Sequence, residues 1–374
     1  MKKNNSKNIF SSEISYPSQL DVCFGEKCNL DCDYCFVKKT SKKVLNIKTI
    51  KNAVYTFFKL PGKNKTITFT TSEPFLYPDL FKNSVIYANL EAQKYKINLN
   101  IIATTNGILF NDKMQKFISD LGENFTLNFS IDGSKESHNA HRKIKGKSTK
   151  TSFDLAWENI AKFKRKKGIM RVILTVTTSE LLVLRKNLDF LKNNSFSHVD
   201  IFPQMFYLWK DDDIKILKEI IKEIIRDNNK TGKIDIRILN RLWGASRYSK
   251  ILLGSDGNFY AFEWVLPLKE SQRKSFIIGS SKNINIEKRK NILELLFEKT
   301  AKTINYRCNF CEYKSFCSNP LPLYLWSIYN KKNFTEYFNS FCNLAKVMIG
   351  VSKEIKNKND VDGEKWKKYE RERK

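Results

Sequence analysis

The sequence predicts an α/β fold: a parallel sheet or barrel covered by helices, then a smaller cysteine-rich region. Three observations carry that expectation. Strand-like and helix-like segments take turns about six times between residues 20 and 204. The strand-like segments alternate polar and apolar side chains, so one face suits helices and the other an interior. The eight cysteines fall into two groups: Cys23, Cys28, Cys32 and Cys35 near the start, and Cys308, Cys311, Cys317 and Cys342 near the end.

A strand over 20–24 leads into the first cysteines, and Ile47, Ile50, Val54, Phe57 and Phe58 then recur at helical spacing. TITFTT at 66–71 alternates like a strand, and a helix starts near Asp79. KINLNIIATTN is the next strand, ending at the TNG of 105–107, with a short helix over 112–121. In FTLNFSIDG, 125–133, Phe125, Leu127, Phe129 and Ile131 share one face, and Thr126, Asn128, Ser130 and Asp132 the other. Phe153, Trp157, Ile160 and Phe163 mark a helix, MRVILTVTT a strand, and Leu181, Leu184, Leu188 and Leu191 another helix. HVDIFPQ at 198–204 is the sixth strand. The polar RDNNKTGK at 226–233 predicts where this unit closes, and ILLGSDGNFYAF reads as a hairpin turning at Asp256-Gly257. Trp326, Tyr329, Phe334 and Tyr337 mark an aromatic helical end. The expected divisions are a flexible arm over 1–15, a barrel over 16–230, a bridging region with the hairpin over 231–300, a cysteine-bearing domain over 301–350 and a basic tail over 351–374.

The 374 residues are 41% hydrophobic, enough for a sizeable core. No apolar run reaches the roughly 20 residues that span a bilayer, and the polar N-terminus lacks a signal-peptide core. The expectation is a cytoplasmic protein without membrane partners, whose thiols stay reduced, so that metal binding outranks disulfides. The net charge of +28 admits an acidic partner, but the abundance of Lys, Asn and Ile throughout explains it equally well. No RNA-recognition signature or zinc-finger spacing accompanies the charge, so nucleic acid is not the expected partner.

Cys28, Cys32 and Cys35 follow a C-x3-C-x2-C spacing on a short loop after a strand. A structural zinc site normally takes four ligands, often as two C-x2-C pairs. Three thiolates suit a four-iron cluster with one iron left open. CNLDCDYC resembles the signature loop of the radical SAM superfamily. The resemblance implies a [4Fe–4S] cluster whose open iron chelates the amino and carboxylate groups of S-adenosylmethionine (SAM). It implies reductive cleavage of SAM to a 5′-deoxyadenosyl radical that takes hydrogen from an unactivated carbon. Tyr34 would touch the adenine. Thr71-Ser72-Glu73-Pro74 stands where the family has Gly-Gly-Glu-Pro, the segment that holds the SAM amino group. Both glycines, which allow close backbone approach, are replaced. SIDGSKESHNAHR resembles the fourth-strand segment of peptide-modifying and sulfatase-maturing members. That puts Ser130 and Asp132 near the SAM ribose and makes Arg142 a candidate for the SAM carboxylate, with a plain surface arginine as the alternative. Asn106 could reach the same cavity or be an ordinary turn residue. Cys23 stands outside the triad, as a hydrogen donor or as simple packing.

CNFCEYKSFC gives C-x2-C-x5-C at Cys308, Cys311 and Cys317, with Cys342 later. A structural zinc site is one reading. Beside a radical SAM loop the run is similar to the SPASM extension, which typically holds two auxiliary [4Fe–4S] clusters. All four positions of one cluster are present, whereas two positions of the other are Phe262 and Leu321. One auxiliary cluster is expected, as an electron conduit or structural glue. Glu263 follows Phe262, where sulfatase-maturing relatives have an aspartate that accepts a proton, so it is the candidate base. A solvent-facing hairpin glutamate is the alternative.

The fold so implied is a partial (β/α)6 TIM-like barrel with a SPASM-like single-cluster domain. The implied function is maturation of a ribosomally made peptide by cross-linking, oxidation or epimerisation. An acidic peptide would suit the surface charge, and an electron donor such as flavodoxin or ferredoxin is implied. With Cys28 so early, no leader-binding domain is expected upstream. The alternatives are a small-molecule enzyme, such as a sugar or cyclitol dehydrogenase, and a sulfatase-maturing enzyme that lacks some cluster ligands.

Overall fold

The structure, a computed structural model, describes residues 16–356 except 38, 162, 164–167, 195, 197, 232–234, 238–248 and 314–320. The expected arm, most of the expected tail, and Cys317 lie outside the described residues.

β1 (Gln19–Val22) opens the chain, and β2 (Leu30–Cys32) lies within the first cysteine group. α1 (Ile47–Phe58) starts where the Asn46 side chain accepts from the Thr49 amide, and it buries Ile50, Ala53, Val54, Phe57 and Phe58. The alternation continues with β3 (Asn64–Phe69), α2 (Pro78–Lys94), β4 (Asn98–Thr105), α3 (Asp112–Ser119) and β5 (Phe125–Ser130). Then come α4 (Lys135–His141), β6 (Arg142–Ile144), α5 (Ser152–Ile160), β7 (Ile169–Val176), α6 (Leu184–Asn193), β8 (His198–Pro203) and α7 (Asp211–Thr231). α7 ends at Thr231, within the 226–233 stretch, and the parallel sheet continues beyond it with β9 (Asp235–Arg237) and β10 (Lys250–Leu253). They are followed by β11 (Asn258–Tyr260), α8 (Glu270–Arg273) and β12 (Ile277–Ser280). α9 (Ile286–Thr303), α10 (Leu321–Tyr329) and α11 (Phe334–Lys356) complete the described chain.

One ten-stranded sheet organises the molecule, in the order β12-β11-β10-β1-β3-β4-β5-β7-β8-β9. Every pairing from β10 across to β9 is parallel, whereas β10–β11 and β11–β12 are antiparallel. The six strands read from the sequence are β1, β3, β4, β5, β7 and β8. β9 and β10 add to the parallel set; with three and four residues they are too short to declare a period. The hairpin turn falls at Asp256-Gly257, with Gly257 at φ +81°.

β5 is buried along almost its whole length, on both faces. On the helix side, Phe69, Phe75, Phe81, Phe110, Phe129 and Phe163 form a chain of ring contacts with centroids 4.7–6.2 Å apart. Each such ring stabilises the fold by about 1.5–3 kcal/mol through burial. On the other face, Thr104 and Asn128 sit side by side in register, and the Asn128 amide donates to the Thr104 hydroxyl at 3.2 Å. This polar interior leads up to the strand ends, where sites form in such sheets.

Candidate active site

The first cysteines sit on the excursion between β1 and α1. β2 pairs antiparallel with β6, setting Cys32 opposite Arg142 and Asp31 opposite Lys143. This ribbon fastens the loop to the segment that follows β5. Leu30 N–H donates to Cys28 Sγ at 3.4 Å, and the Cys35 amide donates to the Cys32 carbonyl at 3.1 Å. Burial pushes the Cys28 thiol above its ordinary range, with the Leu30 amide and Lys39 pulling the other way. Burial pushes Cys32 up to about 11, opposed by Arg142. Among the described residues no three cysteine, histidine or carboxylate side chains converge closely enough to hold a single metal ion; the loop spreads its thiols over a turn. Three thiols with an amide donor and two cations beside them are a donor set that fits an iron–sulfur cluster.

Asp132 stands just past β5, buried. Its carboxylate accepts from Arg142 Nε at 2.8 Å and Nη2 at 3.0 Å, from the Thr175 amide at 3.0 Å, and from the Tyr34 hydroxyl. Burial opposes its charge, yet Arg142 alongside holds the carboxyl below its ordinary range. Tyr34, pushed well up chiefly by burial, keeps its proton and donates. The Arg142 guanidinium also lies over the Tyr34 ring, 5.3 Å from its centroid. Arg142 is thus buried and tied to Asp132 by a two-point pair, at the end of α4. Ser130, the last residue of β5, lies at the edge of this cluster, half-buried.

Glu73 forms a second station. It caps the short turn at Pro74–Leu76, accepting from the Phe75 amide at 3.0 Å. It also accepts from Thr105 Oγ1 and from the Asn106 amide, both at 2.8 Å. Burial raises its carboxyl to about 7, against those three donors. Asn106 Nδ2 donates to Asn29 Oδ1 at 2.7 Å and lies 3.9 Å from Cys28 Sγ, so this station adjoins the cysteine loop. Thr71 Oγ1 donates to the Val22 carbonyl at 3.3 Å. Ser72 holds φ at +59°, a conformation glycine adopts freely, and its hydroxyl is buried without a hydrogen-bond partner among the described residues. The backbone therefore keeps the shape of a glycine segment although its residues have changed. The unpartnered hydroxyl beside Glu73 fits a bound polar group there.

Cys23 follows the last residue of β1 and is fully buried. Its amide donates to the Leu253 carbonyl, and burial raises its thiol to about 12. Glu263 stands elsewhere: Lys250 Nζ, at the first residue of β10, is 3.4 Å from its Oε1, while Oε2 is buried without a partner. Burial raises its carboxyl, Lys250 lowers it and Asp21 raises it again. Lys250 pairs in register with Gln19, so Glu263 sits by the strand starts and the cysteine loop by the strand ends. Phe36, next to Cys35, and Trp264, next to Glu263, bring their rings to 5.8 Å and link the two regions.

In the second group, Cys308 and Cys311 lie on one turn, where the Cys311 amide donates to the Cys308 carbonyl. Cys342 is on α11, close enough for Cys311 to act on its thiol, which burial pushes up. Phe262 packs its ring on Phe276 at 5.6 Å, and Leu321 is buried in the same core.

The sequence alone did not reveal the β2–β6 ribbon, the left-handed Ser72, or the contacts of Asp33, His141, Thr175 and Glu180. Three-residue strands carry no period, and a left-handed backbone leaves no mark on a serine.

The family model of the Radical SAM superfamily matches residues 22–188. A cysteine-type anaerobic sulfatase-maturating enzyme of Clostridium novyi is 28% identical over 185 residues, 47% of this chain and 48% of that protein. One of Clostridium perfringens is 22% identical over 250 residues, 62% of this chain and 65% of that protein. An uncharacterised protein of Methanocaldococcus jannaschii is 34% identical over 107 residues, 29% of this chain and 36% of that protein. The chain thus spans about a third to two thirds of the length of these relatives. Among solved structures, native anSMEcpe with bound AdoMet has a TM-score of 0.69 at 17% identity, over 91% of this chain and all of that one. Streptococcus suis SuiB bound to precursor peptide SuiA has a TM-score of 0.58 at 13% identity, over 84% of this chain and 75% of that one. Both likenesses are of fold. The family match begins at the last residue of β1 and runs into α6, taking in the cysteine loop, Glu73, Asp132 and Arg142, whereas Glu263 and the second cysteine group lie outside it. Over residues 22–188 the chain is similar to the Radical SAM superfamily.

Proposed function

We propose that this enzyme matures a peptide, acting at one residue presented to the SAM site at the strand ends, with Glu263 on the strand-start side as the candidate base. The observation that carries the reading is one chain with a three-thiol loop, a second cysteine group and a buried carboxylate with one unpartnered oxygen. Cys28, Cys32 and Cys35 would hold the [4Fe–4S] cluster. Thr71, Ser72, Glu73, Asn106, Tyr34, Ser130, Asp132 and Arg142 would surround SAM. When bound, cluster and cofactor supply one-electron chemistry at carbon that no side chain provides.

The chain's own residues do the rest. The Asp132–Arg142–Tyr34 cluster fixes the loop and offers aromatic and charged surface beside it. Glu263 accepts the proton that a carbon loses on oxidation, a task suited to a carboxyl raised by burial. Cys23 is a possible hydrogen donor by chemistry, but its burial among apolar side chains favours packing. Cys308, Cys311, Cys317 and Cys342 would hold one auxiliary [4Fe–4S] cluster. The apolar burial of Phe262 and Leu321 favours one such cluster over two. An electron donor of the flavodoxin or ferredoxin kind would supply the reducing equivalent. No helix among the described residues is long and apolar enough to cross a membrane.

Peptide over small molecule is favoured by the fold's likeness to SuiB with its precursor peptide and to anSMEcpe with the Cp18Cys peptide. Sulfatase maturation is the second reading: the Clostridium relatives favour it, and Phe262 and Leu321 count against it. Co-expression with short peptides encoded beside the gene tests the proposal by mass spectrometry. A peptide lighter by two hydrogens, or with an inverted or cross-linked residue, is expected. Modification of a sugar or cyclitol with every peptide unchanged would overturn it.

A further inference from the structure

His141 is the last residue of α4, almost fully buried, and the proposed function gives it no task. Its Nδ1 lies 2.8 Å from Asp33 Oδ2, so Nδ1–H donates to the residue between Cys32 and Tyr34. Its carbonyl accepts from the Asp33 amide at 3.1 Å, so backbone and side chain grip the same residue. On its far side Nε2 faces the Thr177 hydroxyl at 3.4 Å and Glu180 Oε1 at 3.5 Å, both just past the end of β7. The His141 and Tyr34 rings lie 5.7 Å apart. The β2–β6 ribbon ends at Cys32, so beyond it this latch is what ties Asp33 to the sheet.

We infer that His141 is a positioning residue: it fastens the Asp33–Cys35 half of the cysteine loop to the exit of β7 and thereby sets the third thiol. The inference rests on reading Cys28, Cys32 and Cys35 as cluster ligands. The physics is that of an outer hydrogen bond orienting a ligating turn, whose loss typically weakens metal retention about 10–100-fold. Asp33 is half exposed, so without His141 nothing buried among the described residues would hold its side chain.

The test is the rate at which anaerobically reconstituted protein gives up iron to a ferrous chelator. It is read alongside the change in the reduced cluster's electron paramagnetic resonance signal on adding SAM, to which only a cluster with an open iron responds. His141→Phe keeps the ring and loses both hydrogen bonds. His141→Asn keeps a donor at the Nδ1 position. Asp33→Ala removes the partner from the exposed side, so the test survives if the phenylalanine variant does not fold. Expected is iron release from the SAM-responsive cluster about tenfold faster in His141→Phe and Asp33→Ala, with His141→Asn close to the parent. Parental release in both His141→Phe and Asp33→Ala would overturn the inference, as would His141→Asn losing iron as fast as His141→Phe. If the parent takes up no SAM-responsive cluster, the ligand reading itself fails, which is a different result.

Discussion

Ser72 shows how a single residue keeps a function-shaped backbone against its own preference. A non-glycine residue in the left-handed region costs about 1–2 kcal/mol, and here a buried hydroxyl without a partner adds to that. Ser72→Gly should therefore raise the stability of the cofactor-free protein by about 1 kcal/mol, partly offset by the looser unfolded chain. Thermal melting checks this; an unchanged or lower midpoint would count against strain at Ser72. Glu73 gives a pH signature. Its folded carboxyl titrates at about 7, above the ordinary 4.5, so the folded state holds this proton more tightly than the unfolded one. Its contribution is therefore lost as pH rises from about 4.5 through 7. Glu73→Gln should flatten the fall of stability over that window in urea titrations of the cofactor-free protein; an unaltered slope would refute the assignment. The buried Asp132–Arg142 pair is the third test at this scale. Arg142→Lys keeps the charge but breaks the two-point geometry and should cost about 1.5–3 kcal/mol in denaturant unfolding, the loss of one charge-assisted hydrogen bond to buried Asp132.

At the scale of elements, the site depends on how strands hand over to helices. Gly133, at φ +98°, follows Asp132, and a Cβ there would lie 2.2 Å from Asn187 Cβ on α6. Asn187 in turn accepts from the Ser134 amide and donates to Ser137, so α6 clamps the start of α4. Gly133→Ala should cost about 2–4 kcal/mol through backbone strain and overpacking, and should loosen Arg142 with it. A drop in denaturation midpoint together with weaker SAM binding is the expected result. The elements that carry the site were largely legible in the sequence. β1, β3, β4, β5, β7 and β8 announce themselves through alternation, and the motif at residues 28–35 through spacing. What was hidden lies in pairings between distant short segments. β2 meets β6 across more than a hundred residues, and no local period predicts that meeting. The same is true of His141 with Asp33. Leu181, read as helix, lies in a 3-10 turn before α6, because the Thr178–Val183 segment tightens before the regular helix begins at Leu184.

At the scale of the molecule, two cysteine groups nearly three hundred residues apart are set on one continuous sheet and the helices that follow it. β10 returns to pair with β1, which seats the hairpin and Glu263 against the strand that carries the first loop. If each group holds a cubane, reconstituted protein carries about eight irons, and Cys342→Ser or Cys28→Ala each lower this to about four. Cys23→Ala should leave all of them in place. Iron analysis distinguishes these outcomes, and about four irons in the parent would remove the auxiliary cluster from the account. The central claim is that the loop at Cys28, Cys32 and Cys35 arms SAM for radical chemistry. The measurement that tests it most directly is 5′-deoxyadenosine formation by reduced, reconstituted protein supplied with SAM, followed by liquid chromatography and mass spectrometry. 5′-Deoxyadenosine is expected from the parent and from Cys23→Ala, and none from Cys28→Ala. No 5′-deoxyadenosine from a parent protein that holds its iron would contradict it.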